Sequence, residues 1–311
     1  MKKQQRADTS KQTAVLGKNA LEARVEREAM EIAKTITDVR TVVTFYQNAQ
    51  ESIGLVPTMG YLHTGHVSLI EKARKSCDRV IVSIFVNPIQ FGPNEDFNRY
   101  PRDLDRDLEL CRDAGADLVF VPEVSDMYPT ANLAYLDIRS LGEYLCGASR
   151  PGHFQGVLTV VAKLFNICQP DQAFFGEKDA QQLAIIRRMV SDFNFPVEIV
   201  PCPIIRESDG LAMSSRNVYL SAEERQAALS LSRSLEQAWQ SLESGERSAS
   251  AIRDIIRAGI EAETLARIDY VEVVDSDTLQ PVETISGSIL AAVAVYFGKT
   301  RLIDNFTFRP E

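Results

Sequence analysis

The chain has 311 residues, of which 45% are hydrophobic and 25% charged, a composition typical of a globular protein with room for two domains. Its formal net charge of -9 argues against a general binder of nucleic acid or of membrane surfaces, because both need a basic face. The sequence has no apolar run near the roughly 20 residues of a membrane span. Its five cysteines form no Cys-x-x-Cys pair, which predicts reduced, mostly buried thiols in a cytoplasmic protein.

The first 33 residues are predicted to be an extension outside the catalytic core. Residues 1–20 are polar and basic and lack the apolar stretch of a secretory signal. Over 21–33 the pattern becomes helical, with glutamates among the arginines, which disfavours a transit peptide. We therefore expect a segment that is disordered and then helical, followed by one domain over 34–205 and a second over 206–311.

Short apolar runs alternate with helical patterns through the first domain. The predicted strands are 55–57, 80–86, 118–121, 173–175 and 197–201. The predicted helices between them are 67–76, 101–114, 157–168 and 181–193. Nearly continuous apolar strands are expected where helices cover both faces of a sheet. The alternation predicts an α/β fold with a doubly wound parallel sheet, whose ligands bind at the carboxyl ends of the strands.

The most informative segment joins the first predicted strand to the first predicted helix. It reads Leu-Val-Pro-Thr-Met-Gly-Tyr-Leu-His-Thr-Gly-His-Val-Ser-Leu over 55–69 and holds two of the three histidines, His63 and His66. A helix N-terminus offers free backbone N–H groups that suit phosphate, and Gly60 and Gly65 permit a close backbone approach. Nucleotide chemistry is the leading hypothesis. A zinc site and an incidental polar turn stay open, although the segment has no Cys, Asp or Glu.

A second polar segment follows the predicted strand at 173–175. Gly176 allows a close backbone approach, Lys178 supplies a flexible charge for phosphate, and Asp179 suits a ribose hydroxyl. Glu177 or Asp179 is also suited to help hold Mg²⁺. The alternative is a charged surface at a helix start, where acidic residues are favoured by the helix dipole.

Two other segments carry polar groups of a different kind. Residues 212–217 read Ala-Met-Ser-Ser-Arg-Asn within a predicted mobile linker, where Arg216 is able to bind phosphate oxygens in pairs. The alternative there is a serine-rich hinge. Asn87 and Gln90 are neutral amides at a strand end, next to aromatic residues that suit the wall of a small pocket. Ordinary core packing is the alternative for that segment.

The chain after residue 206 is predicted to form a smaller α+β domain that closes over the first as a lid. Ser221 and Glu224 have the spacing of a capping box. Apolar residues at helical spacing follow as far as Leu242, and a second helix is predicted over 249–265. The predicted strands are 270–274, 290–297 and 302–306.

The ordered set of motifs resembles the pantoate–β-alanine ligase family, part of the nucleotidyltransferase superfamily that shares a His-x-Gly-His turn. The likeness runs from about residue 35 to the C-terminus. The matching segments are Pro-Thr-Met-Gly-Tyr-Leu-His-Thr-Gly-His (57–66), Phe-Val-Asn-Pro-Ile-Gln-Phe (85–91), Arg-Pro-Gly-His-Phe-Gln-Gly (150–156), Phe-Gly-Glu-Lys-Asp (175–179) and Asp-Gly-Leu-Ala-Met-Ser-Ser-Arg-Asn (209–217).

The resemblance implies a Rossmann-like fold and a two-step reaction. The carboxylate of pantoate attacks the α-phosphate of ATP, which gives pantoyl adenylate and pyrophosphate. The amine of β-alanine then displaces AMP and forms the amide of pantothenate. The resemblance also implies Mg²⁺ with ATP and a cytoplasmic homodimer.

Site residues follow from the resemblance by position. It implies catalytic roles for His66, as proton donor, and for His63 and Lys178. It implies that Gln90 binds pantoate and β-alanine, that Gln182 binds pantoate and that Asn87 contacts these substrates. The implied ATP-binding residues are Met59, Gly60, Tyr61, Leu62, His63, Thr64, Gly65, His66, Gly176, Glu177, Lys178, Asp179, Ile205, Met213, Ser214, Ser215 and Arg216. Tyr61 and Ala180 depart from the family pattern, which commonly has Ala and Tyr there.

Two other functions are weighed against the ligase. A cytidylyltransferase shares the histidine turn, but it needs basic residues for a second phosphate where this chain has Gln90 and Gln182. An adenine-nucleotide sensor without activity is disfavoured by the intact His63, His66, Lys178 and Arg216. We therefore expect a ligase.

Overall fold

The computed structural model describes residues 30–93 and 95–310, which form two layered units. The first unit is a parallel six-stranded sheet in the order β1-β4-β3-β2-β5-β6, which confirms the predicted doubly wound α/β fold. Its strands are β1 (Glu31–Ala33), β2 (Ile53–Thr58), β3 (Arg79–Ile84), β4 (Leu118–Phe120), β5 (Gln172–Gly176) and β6 (Glu198–Cys202).

Helices cover both faces of this sheet. They are α1 (Ile36–Asn48), α2 (Thr64–Ser76), α3 (Leu104–Ala114), α4 (Val124–Met127), α5 (Cys146–Ser149), α6 (His153–Cys168) and α7 (Ala180–Phe193). Neighbouring residues of one strand enter different cores: Leu55 packs in the core of α1, α6 and α7, whereas Val56 packs in that of α2 and α3. This two-sided burial is why the strands are continuously apolar.

The chain order reverses between β2 and β5, which lie side by side in the sheet. Strands β3 and β4 extend the sheet on the β2 side, and β6 extends it on the β5 side. In open α/β sheets the ligand crevice lies at such a switch point, beyond the carboxyl ends of the strands. The two polar segments expected to share a crevice follow β2 and β5, so the topology brings them together.

The second unit packs three helices on an antiparallel sheet in the order β7-β8-β9. Its capping box is confirmed: Ser221 accepts from the backbone N–H of Glu224, whose carboxylate accepts from that of Ser221. Its core contains Leu235, Ile256 and Val293. Its elements are α8 (Ala222–Ala227), α9 (Leu229–Glu243), α10 (Ala249–Glu261), β7 (Ala266–Asp275), β8 (Ile289–Phe297) and β9 (Thr300–Phe308).

The predicted helix over 21–33 is wrong at its C-terminal end. Residues 31–33 are strand β1, paired in parallel with β4, and Ala33 is buried. Pairing along the open edge of β4 overrides the local helical pattern, as tertiary context commonly does. The first unit therefore begins by Glu31 instead of after residue 33. The expectations for residues 1–29 lie outside the described residues.

The segment over 206–216 is a hydrogen-bonded loop in the structure. Arg206 pairs with Ala212 across it, and Arg225 binds both Glu207 and Asp209 within it. All five cysteines are buried and unpaired, as expected from the sequence. Within the part of the chain that the structure describes, no helix is long and apolar enough to cross a bilayer.

Candidate active site

Two adjoining cavities open at the switch point. The inner one has a volume of about 220 Å³ and lies beside the histidine turn, and the outer one has a volume of about 810 Å³ and extends towards the second unit. The residues shared by both walls are Lys178, Asp179, Gln182, Ser214 and Arg216. The predicted site residues Met59, His63, Gly65, His66, Asn87, Gln90, Gly176, Ile205, Met213 and Ser215 line the inner cavity.

The two imidazoles form the start of α2. His63 is the N-cap, and its Nδ1 accepts from the backbone N–H of Gly65 at 3.1 Å. The Nδ1 of His66 accepts from the backbone N–H of His63 at 3.3 Å, and the ring centroids are 4.0 Å apart. A Cβ at residue 65 would lie 2.8 Å from Cε1 of His63, so only glycine lets this ring fold over the helix start.

These hydrogen bonds decide how the rings carry protons. Burial, followed by the nearby Lys178 cation, lowers the pKa of His63 to about 4. Burial, His63 and Lys178 lower the pKa of His66 well below its ordinary value. Both rings are therefore neutral at neutral pH. Because each Nδ1 accepts a hydrogen bond, each proton is assigned to Nε2, which leaves an Nε2–H donor on each ring.

The expectation of free backbone N–H groups on this turn is wrong for most of its residues. Gly60 donates to Oγ1 of Thr58, while Tyr61 and Leu62 donate to the carboxylate of Asp107 at 2.7 and 2.6 Å. The side chain of Leu62 is fully buried in the core. These backbone N–H groups are already bonded within the protein. The donors expected for phosphate on this turn are therefore the imidazole Nε2–H groups.

Asp107 is a site residue that the sequence interpretation missed. It is 1% exposed and holds the histidine turn through the two short hydrogen bonds to Tyr61 and Leu62. Burial raises its pKa more than these two backbone donors lower it. The helical spacing of Asp107 with Cys111 and Ala114 was a sequence signal that Asp107 lies on the buried face of α3.

Gln90 and Asn87 have different positions in the inner cavity. Asn87 is 1% exposed; its Nδ2 donates to Oε1 of Gln90 and to the carbonyl of Gly156, and its Oδ1 accepts from the Tyr128 hydroxyl. The amide of Asn87 thus orients Gln90, and its expected role as a substrate contact stays a prediction. A Cβ at residue 156 would collide with the carbonyl oxygen of Ile89, so glycine is required there as well.

A charged chain of hydrogen bonds also reaches Gln90 from the outer cavity. His153 contacts the carbonyl oxygen of Gln90 through Nδ1 and Nη1 of Arg150 through Nε2, both at 2.9 Å. Arg150 in turn forms two hydrogen bonds with Glu95. Burial, followed by the charge of Arg150, lowers the pKa of His153 to about 4. The neutral ring therefore accepts from Arg150 and donates to Gln90.

The two glutamines that start α7 also differ. Gln181 is buried, and its Nε2 donates to the carbonyls of Leu141 and Tyr144, so it fixes the preceding loop. Gln182 lines both cavities. Beside it, the Glu177–Asp179 turn presents Lys178 and Asp179 to both cavities, and Glu177 contributes its carbonyl to a bond with Asn305.

Arg216 is paired within the protein. Its Nε and Nη2 donate to the two carboxylate oxygens of Asp96 at 2.8 and 2.9 Å. Burial alone would raise the pKa of Asp96, but the hydrogen bond and the charge of Arg216, with smaller contributions from the backbone and Arg150, together outweigh it and hold this pKa below its usual range. Ser215 donates to the carbonyl of Tyr61, which connects this loop to the histidine turn.

Among the residues that the structure describes, no three His, Cys, Asp or Glu side chains are grouped in a way that suits a metal ion. The Nδ1 atoms of His63 and His66 are occupied by backbone N–H groups. The zinc interpretation of the histidine turn therefore has no ligand set in this part of the chain.

The doubly wound parallel sheet carries the His-x-Gly-His turn at its switch point, as the resemblance of the sequence motifs implied. Residues 31–307 match the family described as pantoate-beta-alanine ligase. The chain is 60% identical over 280 residues to a pantothenate synthetase of Clostridium botulinum (strain Okra), covering 90% of this chain and 100% of the relative. The chain belongs to the pantoate–β-alanine ligase family, and the resemblance seen in its motifs is confirmed.

Comparison with solved structures leads to the same family. Pantothenate synthetase from Thermus thermophilus superposes with a TM-score of 0.86 at 45% identity, covering 90% of this chain and 100% of that chain. Pantoate-beta-alanine ligase from Francisella tularensis, complexed with beta-gamma ATP and beta-alanine, has a TM-score of 0.71 at 37% identity, covering 89% and 97%. The cytidylyltransferase and sensor alternatives are not retained.

Proposed function

We propose that the crevice joins pantoate to β-alanine at the expense of ATP, through a pantoyl adenylate. One observation carries the assignment of residues: two neutral imidazoles, a lysine and two glutamines face one cavity in a member of a ligase family. His63, His66 and Lys178 are assigned to the phosphates, and Gln90 and Gln182 to the small acid.

In the first step, a carboxylate oxygen of pantoate forms a bond to the α-phosphorus of ATP, and the bond to the pyrophosphate oxygen breaks. Negative charge builds on the phosphate oxygens and on the leaving group. Nε2–H donors of His63 and His66 and the ammonium of Lys178 stabilise this charge from fixed positions. Both rings act as neutral hydrogen-bond donors, since their lowered pKa values keep them unprotonated.

The acid is bound by amides instead of cations. Gln90 and Gln182 are able to donate to a carboxylate without the tight ion pair that would weaken it as a nucleophile. Asn87 and His153 hold Gln90 from its side chain and from its carbonyl. The inner cavity, at about 220 Å³, is smaller than the roughly 300–1,000 Å³ of common ligand sites, which suits a small acid.

In the second step, the amine of β-alanine forms a bond to the acyl carbon of the adenylate, AMP leaves with the shared oxygen, and the nitrogen loses a proton. Water must be kept from this activated acid. The second unit, taken as a lid over residues 206–311, forms the far wall of the outer cavity through Tyr270 and Tyr296. Closing that cavity around the intermediate excludes water.

Binding of ATP phosphate by Arg216 requires that its ion pair with Asp96 be broken. Its guanidinium is suited to bidentate phosphate binding, but Asp96 occupies it in the structure. We propose that the triphosphate replaces Asp96 at Arg216 when ATP binds. Met213, Ser214 and Ile205 lie next to it along the inner cavity and complete the proposed ATP contacts.

Mg²⁺ is proposed to accompany ATP. The ion is usually held by substrate phosphates and one or two carboxylates, and Asp179 supplies a carboxylate on the wall shared by both cavities. Asp179 is therefore the residue that fits this role, with Glu177 in the same turn. The ion would neutralise charge on the phosphate oxygens.

We also propose that the protein is cytoplasmic, which its buried, unpaired cysteines support. We propose in addition that it is a homodimer, which the family resemblance supports. Leu133 is 97% exposed and Tyr135 is 49% exposed on one loop, an apolar surface suited to a second copy. Light scattering on the purified chain tests this: a mass of two chains is expected, and a mass of one chain at micromolar concentration would contradict it.

The function is tested by an assay in which ATP, pantoate and β-alanine are omitted in turn. Pyrophosphate release should depend on pantoate, and AMP and pantothenate should appear only with β-alanine. Pyrophosphate release that ignores pantoate would overturn the ligase assignment.

A further inference from the structure

The second unit reaches the ATP side of the crevice through two consecutive residues of β9. Asn305 is 5% exposed, and its Nδ2 donates to the carbonyl oxygens of Glu177 at 3.1 Å and Lys178 at 2.8 Å. These carbonyls belong to the turn between β5 and α7. A single amide of the second unit therefore holds the backbone from which the Lys178 side chain extends.

The neighbouring residue reaches the other polar loop. Asp304 is 1% exposed and accepts from Nη1 and Nη2 of Arg206 at 2.6 and 3.0 Å. Arg206 also donates to the carbonyl of Gly210 and pairs with Ala212, the residue before Met213. Asp304 thus anchors the base of the loop that carries Ser214 and Arg216.

We propose that Asp304 and Asn305 are positioning residues that set the geometry of both loops proposed to bind the ATP phosphates. This inference rests on the proposed function. Both residues lie on the wall of the outer cavity; Asn305 acts through the turn at Lys178, and Asp304 acts through Arg206. The ATP side of the crevice is therefore complete only when the second unit is docked on the first.

The charges at β9 suit this role. Asn305 is neutral, and the carboxylate of Asp304 is matched by Arg206, so the pair adds no net charge beside a triphosphate. Lysine has a long flexible side chain and binds phosphate as a point charge. Its effect on a transition state then depends on where its backbone is held, because small displacements of a catalytic group reduce its contribution strongly.

Asn305→Asp tests the inference, because it preserves the shape of the side chain and replaces the donor with a carboxylate that faces two carbonyl oxygens. We expect kcat/KM for ATP in pantoate-dependent pyrophosphate release to fall about tenfold, the size of a lost hydrogen bond or two. The reaction of supplied pantoyl adenylate with β-alanine should change less than about twofold. A merely structural defect would lower both half-reactions together.

Folding is checked through Trp239, the one tryptophan of the chain. Its ring packs on Phe306 and Phe308 of β9, at centroid distances of 5.3 and 5.4 Å, so its emission reports on this strand. Asn305→Ser, which removes the two-carbonyl contact without burying a charge, replaces the first variant if the Trp239 emission shifts. The same split between half-reactions is expected for it.

The matched control is Asn166→Asp, where an exposed amide on α6 donates to the carbonyl of Ala162. It should leave both half-reactions unchanged. An equal loss in both half-reactions, or an unchanged kcat/KM for ATP, in a folded Asn305 variant would overturn the positioning role. Failure of the wild-type chain to release pyrophosphate with pantoate would instead overturn the proposed function itself.

Discussion

Two junctions of strand and helix meet at the switch point, and they are supported in opposite ways. The turn after β2 is held chiefly from within the first unit, by the capping imidazoles and by Asp107, with one added hydrogen bond from Ser215. The turn after β5 is held from the second unit, by Asn305. Both have a glycine and polar residues between a strand and a helix, so their sequences predict the same kind of site. The structure shows that one is preorganised locally and the other depends on how the two units are docked.

The largest effect is expected from the locally organised turn. His66→Ala removes an Nε2–H donor aimed at the inner cavity, and kcat should fall by roughly 10²-fold or more, as for other lost transition-state donors. Steady-state rates measure the loss, and circular dichroism checks that the fold is intact. Near-normal turnover would remove His66 from the mechanism.

A smaller effect is expected from the support of that turn. Asp107→Asn leaves a buried amide against the N–H groups of Tyr61 and Leu62, so the free energy of unfolding should fall by about 2 kcal/mol. Urea denaturation measures the change, with an unaltered m-value expected. Asp105→Asn, an exposed change on the same helix, is the control and should be neutral. Equal stabilities of the two variants would show that Asp107 does not hold the turn.

Breaking the ion pair between Arg216 and Asp96 should improve the binding of ATP, whereas the two substitutions above reduce activity or stability. Asp96→Asn weakens the pairing that competes with phosphate at Arg216, so KM for ATP should fall by about threefold, in line with a partly exposed ion pair. Asp192→Asn breaks the exposed pair with Arg188 and serves as the control. A higher KM for ATP would mean that Asp96 organises Arg216 for binding and does not compete with it.

The smallest change is expected on varying pH. Because their pKa values lie below the ordinary value of His, His63 and His66 keep the same proton on Nε2 from pH 6 to 8. Pantoate-dependent pyrophosphate release should therefore vary less than about twofold over this range. Activity should fall only towards pH 4, as His63 takes up a proton. A titration near pH 6.5 would contradict neutral, buried imidazoles.

The sequence predicted what depends on local pattern. Buried strands and amphipathic helices have periodicities that appear within one window, which is why strands β2 to β6 and the crevice between β2 and β5 were foreseen. Strand β1 is three residues long and pairs with β4, which is far away in the sequence, so no local pattern marks it. Helix α1 was not predicted.

The support of the site was harder to foresee than its chemistry. His63, His66, Lys178 and Gln90 were identified because residue types with a chemical use stand in recognisable motifs. Asn305 lies 127 residues from Lys178, and nothing near it in the sequence indicates the carbonyls that it binds. The hydrogen bond from Asn87 to Gln90 was not foreseen, because a strand-end amide suits a ligand as well as it suits a neighbouring glutamine.

The close approach at Gly156 limits how the acid pocket can be redesigned. Helix α6 lies so near the backbone of Ile89 and Gln90 that even a methyl group at residue 156 would collide with it. Directed evolution towards longer or branched acids therefore cannot use residue 156, because any side chain there displaces Gln90. Variation at Val157, Val160 and Val161, which line the inner cavity from the same helix, is the open route to new substrates.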